Sequence, residues 1–294
     1  MGKVLPRATG LAEVLWSGPK VTEAEGAYEG FLDRLDVLGL RWAFMDVRPG
    51  LEGVPVDLEV RPGRRGEIEV TVNAAMRNVG GRVRFVSSSG ATGSAVNVGE
   101  PLTIEGTGTV QVDVVVRGRS TGVTESFPVA GHAAAHQPLE LGYEPSQYYT
   151  GGGLQALADG RRGSEDFRDG AWQAVQAVDM VCTVDLGDTL DISALETQFY
   201  LYQDAWIFLP RAVTWSVSMD GQRFVDVPTQ APWGDAQKPD ARQTVVPLRI
   251  EDLGIEARYV RITLANAGAC PSWHDAATEP SWLFVDELVV EAKR

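Results

Sequence analysis

With 294 residues, 44% hydrophobic and 22% charged, the chain has room for two or three domains with cores of their own. Its formal net charge of -14 repels a nucleic-acid backbone or an anionic membrane surface, and no apolar run approaches the roughly 20 residues of a membrane span. Two cysteines, Cys182 and Cys270, rule out a disulfide framework or a cysteine metal cluster, and the opening MGKVLPR lacks the apolar segment of a signal peptide.

Residues 1–46 read as helix. Pro6 suits a first helical turn, Leu11, Val14 and Leu15 give a short apolar stripe, and Gly18-Pro19 interrupts it. Thr22 and Glu25 form a capping box for a second helix, whose Tyr28, Phe31, Leu35 and Leu38 share one face. Gly39 is placed to end that helix. Two short amphipathic helices gain most of their stability by packing, so they need a surface to cover.

Residues 47–135 change character. VDLEVRP, EIEVTVNAA, RVRFVSSS and VQVDVVVRG alternate apolar and polar residues, with Gly-rich turns between them. That pattern predicts a small antiparallel β-sandwich with one wet face per sheet, a spacer without a convergent polar cluster. At its end stands His132-Ala-Ala-Ala-His136. Two His four apart have a metal-ligand spacing on a helix, but no Glu stands between them and no third ligand is in view. The segment reads as an Ala-rich linker with two exposed His.

Residues 136–294 read as a third unit. Met180, Cys182, Val184 and Leu186 share one strand face, as do Leu195, Thr197, Phe199 and Leu201. Val213, Trp215 and Val217 lead into an Asp220-Gly221 turn, and RYVRITLANAG and WLFVDELVVEA close the sheet. About eight short strands at this spacing predict a jelly-roll-like sandwich. The fold class is therefore mainly β: a short helical start, a small antiparallel sandwich and a larger C-terminal one. Trp206, Trp233, Trp273, His274 and Trp282 fall on or beside predicted loops. Aromatic rings stack on the C–H faces of sugars, so a carbohydrate site on the rim is one reading. Packing of the loops is the other, above all for Trp206 within WIFLP and Trp282 within WLFVDE. Cys182 on a core strand and Cys270 on a loop read as two thiols. The Gly151–Gly153 run lacks the Lys-Ser/Thr of a phosphate loop and reads as a domain entry.

Two resemblances follow. LPRATGLAEVLWS and FLDRLDVLGLRWA resemble the last helix of the (β/α)8 barrel of family 20 glycoside hydrolases, the β-N-acetylhexosaminidases. ALADGRRGS, VDLG, WIFLP, VSMDGQRF, ARYVRITLANAG and WLFVDEL resemble the discoidin domain, also called factor 5/8 type C or family 32 carbohydrate-binding module. Together they imply the non-catalytic C-terminal portion of such a hexosaminidase. Its catalytic Asp-Glu pair would lie upstream of Met1, so this chain alone is expected to be inactive. Asp286-Glu287 does not replace that pair, because neighbours on a predicted strand point to opposite faces.

The discoidin resemblance also implies a structural Ca²⁺ held by Asp159, Ser164 and Glu287 with loop carbonyls. Arg161 or Arg162 pairing with the carboxylates is the alternative. Carbohydrate ligands are expected at Trp273, His274, Trp233 and Trp206, with N-acetylhexosamine- or galactose-containing glycans as partners. The parent family places the chain outside the cell or in the periplasm. Docking of the aromatic loops on the catalytic barrel, without sugar binding, stays open as a structural role.

Overall fold

The computed structural model describes residues 26–44, 56–64, 66–75, 79–116, 118–229 and 243–293, with isolated positions 12, 15 and 18. Pro6, Thr22, Glu25, Trp16 and Trp233 lie outside the described residues. Among those described, no helix is long and apolar enough to cross a membrane.

Helix α1 spans Ala27–Phe44, so it runs through Gly39 rather than stopping there. Leu40, Trp42 and Ala43 continue the helical sequence, and one interior Gly costs only about 1 kcal/mol relative to Ala.

Strands β1 (Val56–Pro62), β2 (Ile68–Ala74), β3 (Val79–Ser87), β4 (Val96–Asn97), β5 (Pro101–Ile104), β6 (Gly106–Val116) and β7 (Arg119–Gly131) build the first sandwich. One sheet has the order β1-β2-β5 and the other β4-β3-β6-β7. The alternating residues point inward from both: Val56, Leu58, Ile68, Val70 and Val72 face Val83, Val110, Val112, Val114 and Val129 in one core. Strand β7 escapes the sequence pattern. Its first residues are mostly exposed and Pro128 interrupts it, yet backbone pairing with β6 carries it for 13 residues.

The second sandwich comprises β8 (Leu139–Leu141), β9 (Gln173–Gln176), β10 (Met180–Leu201), β11 (Ala212–Ser218), β12 (Val225–Val227), β13 (Thr244–Ile250), β14 (Ile255–Ala265), β15 (Trp282–Val285) and β16 (Val289–Ala292). The two strands expected around VDLG and LETQFYL are one 22-residue strand, β10. It belongs to both layers. Up to Ile192 it pairs with β14 and β8; from Ile192 on it pairs with β16, β13 and β15. The β14 register breaks between Asp185 and Leu190, where Gly187 takes φ +82°. That left-handed backbone is open to Gly at no steric cost. Arg258 grips both oxygens of Asp185 at 2.8 Å, beside the break. The faces predicted from alternation are buried: Met180, Cys182, Val184, Leu186, Leu195, Phe199, Val213, Trp215 and Val217. Cys182 and Cys270 are both buried free thiols, and burial pushes the Cys182 thiol up to about 12.

The segment from His132 to His136 is a turn, not an exposed linker. His132 is 4% exposed and sits between the sandwiches. The backbone stitches them together here: Ala130 N donates to Gly160 O, Arg162 N to Pro128 O, and Ala133 N to Val290 O.

Candidate functional site

Two places gather the residues singled out by sequence. The first is the loop after the short helical turn Ala156–Ala158, where the chain enters the second sandwich. Asp159-Gly160 makes the expected turn, with Gly160 at φ +80° packed against Val60 and Ile68 of the first sandwich. Asp286 and Glu287 follow β15, in the break before β16 rather than on a strand. They still diverge. Asp286 accepts from Arg162 Nε at 2.9 Å, Gly163 N at 3.2 Å and Gln198 N at 3.0 Å. Glu287 accepts from His132 Nε2 at 2.8 Å, Gly160 N at 2.9 Å and Asp159 N at 3.3 Å. His132 Nδ1 accepts from Ala134 N and Val290 N, so the ring proton is on Nε2, aimed at Glu287.

Arg162 is the cation at the centre, 2% exposed, bridging Asp286 and Glu196. Its ion pairs are with Asp286 and Glu196, not with Asp159 or Glu287, the carboxylates for which an arginine partner was weighed. Burial raises the Glu287 carboxyl well above the usual range, and the donors from Gly160 and Asp159 oppose that only in part. Burial first, then the neighbouring Glu287, pushes Asp159 up to about 8. Desolvation and the Arg162 charge press His132 down to about 3.

Asp159 and Glu287, two of the residues weighed as calcium ligands, are neighbours, Asp159 N donating to Glu287 Oε2. One oxygen of Asp159, Oδ1, accepts from Arg161 N; the other faces Gly152, where an added Cβ would sit 3.4 Å away. Ser164 does not complete a trio: its hydroxyl accepts from Asp166 N and its carbonyl from Trp172 Nε1. Among the described residues, no group of three or more His, Cys, Asp or Glu is arranged to hold a metal ion.

The second place is one rim of the second sandwich. Trp206 ends the helical turn Gln203–Ala205 in a left-handed conformation, φ +63°, and is 36% exposed. Trp273 is 41% exposed. A shared anchor ties the two loops: Gln203 O accepts from Trp206 N at 2.7 Å and from His274 Nε2 at 3.0 Å. His274 Nδ1 meanwhile accepts from Ala276 N. Both ring nitrogens of His274 are therefore occupied, and its ring orients Trp273, 5.8 Å away between centroids. Phe208 packs edge-on against both rings. So Trp206, Trp273 and His274 share one rim, while Trp233 is not described. Trp282 is half-buried, its backbone N donating to Trp206 O.

Sequence reasoning missed the continuation of this rim. Tyr149 meets Trp282 edge-on at 5.4 Å and also contacts Phe167 and Phe284. Tyr148 is 74% exposed. The aromatic pair in SQYYTGG was the available signal, but its partners are distant in sequence.

Residues 143–286 match the family described as the F5/8 type C domain, and this segment is such a discoidin-like domain. No curated protein matches the chain. Similar solved structures include the lectin domain of lectinolysin complexed with Lewis B antigen (14% identity, TM-score 0.36), which covers 55% of this chain and 97% of that one. A Streptococcus pneumoniae fucose binding module has 15% identity and TM-score 0.35 over 55% of this chain and 98% of its own. A family 32 module from a family 31 glycoside hydrolase of Clostridium perfringens has 18% identity and TM-score 0.32 over 53% and 91%.

Proposed function

We propose that the chain binds carbohydrate through the rim built by Trp206 and Trp273, on a discoidin-like domain spanning residues 143–286. One observation carries this reading: two tryptophans keep more than a third of their surface open while their loops are fixed to a single carbonyl, Gln203 O. A rigid, exposed aromatic face costs little entropy on binding and matches the apolar face of a pyranose. The ligand class we favour is a glycan with terminal N-acetylhexosamine or galactose. The resemblance of the first 45 residues to the end of a hexosaminidase barrel supports assigning the chain to the non-catalytic C-terminal portion of such an enzyme, exported from the cell. A structural calcium ion at Asp159 and Glu287 belongs to the same proposal, supported by a half-buried and a buried carboxylate within each other's field.

Calorimetric titration with N-acetylglucosamine, galactose and their oligomers tests the binding. Trp273→Ala should weaken it at least about tenfold, since a stacking platform contributes on the order of 1–3 kcal/mol. It should leave the melting temperature within about 2 °C. Absence of heat with every sugar would instead favour a docking role for the rim.

A further inference from the structure

Beside the Trp206–Trp273 platform, the same rim holds a cavity of about 320 Å³. Its walls are Tyr148, Tyr149, Gly151, Phe167, Arg168 and Trp172. The volume is at the lower end of the roughly 300–1,000 Å³ typical of small-ligand sites, with room for about one hexose ring. Trp172 is 1% exposed and Phe167 4%, so both are fixed parts of the wall, whereas Tyr148 stands open at 74% exposure. The walls are rigid for identifiable reasons. Trp172 Nε1 donates to Ser164 O, and the Tyr200 hydroxyl and the Gln243 amide both donate to Glu165 O. On the facing side, the Gln173 amide holds Thr150 O and Gly153 O.

Among the described residues of the wall, Arg168 is the one that carries a charge. Its guanidinium lies over the Phe167 ring, 4.1 Å from the centroid, where the aromatic face fixes its orientation. Two neighbouring carboxylates are taken up by backbone amides. Asp166 Oδ1 accepts from Arg168 N, and Asp169 accepts from Ser164 N and Ala171 N. An exposed arginine held by an aromatic ring, in a chain of net charge -14, is an arrangement for reading one local negative charge.

We propose that this cavity is a second sugar subsite that takes an acidic hexose, a uronic acid, with its carboxylate on Arg168 and its ring against Tyr148 and Tyr149. The proposal rests on the carbohydrate-binding reading above and adds a substrate class to it. Nuclear magnetic resonance titration of the whole chain with methyl β-D-glucuronide and methyl β-D-glucoside tests it. The glucuronide should bind about tenfold more tightly at low salt, as expected of a charge-assisted hydrogen bond. Arg168→Gln should remove that advantage while changing glucoside affinity less than about twofold, and Trp273→Ala should leave the ratio of the two affinities intact. Equal affinities in the native protein, or an unchanged ratio in Arg168→Gln, would overturn the acidic subsite and leave the platform standing. Binding of neither sugar, nor of any oligomer offered to Trp273, would take down both.

Discussion

At the scale of single residues, Asp159 is where charge and burial conflict most plainly. Its carboxyl is pushed up to about 8 because it is buried beside Glu287, and only the Arg161 amide and charge oppose that. Between about pH 4 and 8 the folded state therefore holds a proton that the unfolded state has released. Stability contributed by that proton is lost as pH rises through the window. Glu287 acts in the same direction. His132 acts oppositely: held unprotonated down to about 3, it costs stability as pH falls below its ordinary value of 6.5. Asp159→Asn should flatten the alkaline fall in melting temperature and raise stability at pH 9. Calcium should raise the melting temperature of the native protein at that pH and not that of the variant. Identical pH profiles for the two proteins would contradict this account.

At the scale of elements, the entry loop is set by close packing against Trp172, the residue before β9. Gly163 lies flat against Trp172, and an added Cβ would approach its Cε2 to 2.1 Å. The contact is with a rigid ring that is itself wedged against Tyr200, centroids 5.2 Å apart. Gly163→Ala should therefore destabilise the second sandwich by about 2–3 kcal/mol, the upper part of the range for overpacking, visible in urea unfolding. An effect below about 0.5 kcal/mol would mean that Trp172 can move aside. The strands themselves were legible in sequence wherever alternation was clean, as in β2, β6 and the first half of β10. What alternation could not show was continuity: Leu186 to Asp191 breaks the period, yet the strand passes through because Gly187 absorbs the irregularity. Nor could it show β7, whose outer face is exposed for most of its length.

At the scale of the whole molecule, the joint between the sandwiches is made of buried, specific bonds. His132 and Glu287 are 155 residues apart and almost wholly excluded from water. His132 is uncharged here, so removing one partner leaves the other buried without its hydrogen bond, at a cost of about 1–3 kcal/mol. With Val129 and Arg161 paired as an isolated bridge, the two sandwiches should unfold together. Calorimetry of the native chain should show one transition spanning both sandwiches. His132→Ala should lower it markedly or split it in two, while a substitution on the distal face of the first sandwich should not. Two transitions in the native protein would show that the joint does not couple them.

The sequence by itself determined the class of this protein: period-two alternation dictates sheets, Gly and Asp-Gly mark the turns, and the motifs from ALADG to WLFVDEL carry the discoidin pattern. It also named Trp206, Trp273 and His274, because aromatic residues beside loop signals are readable locally. Only the tertiary structure decided what those residues do together. The convergence of two loops on Gln203 O, the capture of Glu287 by a histidine from the preceding domain, and the cavity beneath Arg168 all join segments far apart along the chain. Such contacts depend on how layers stack, and local periodicity carries no record of that.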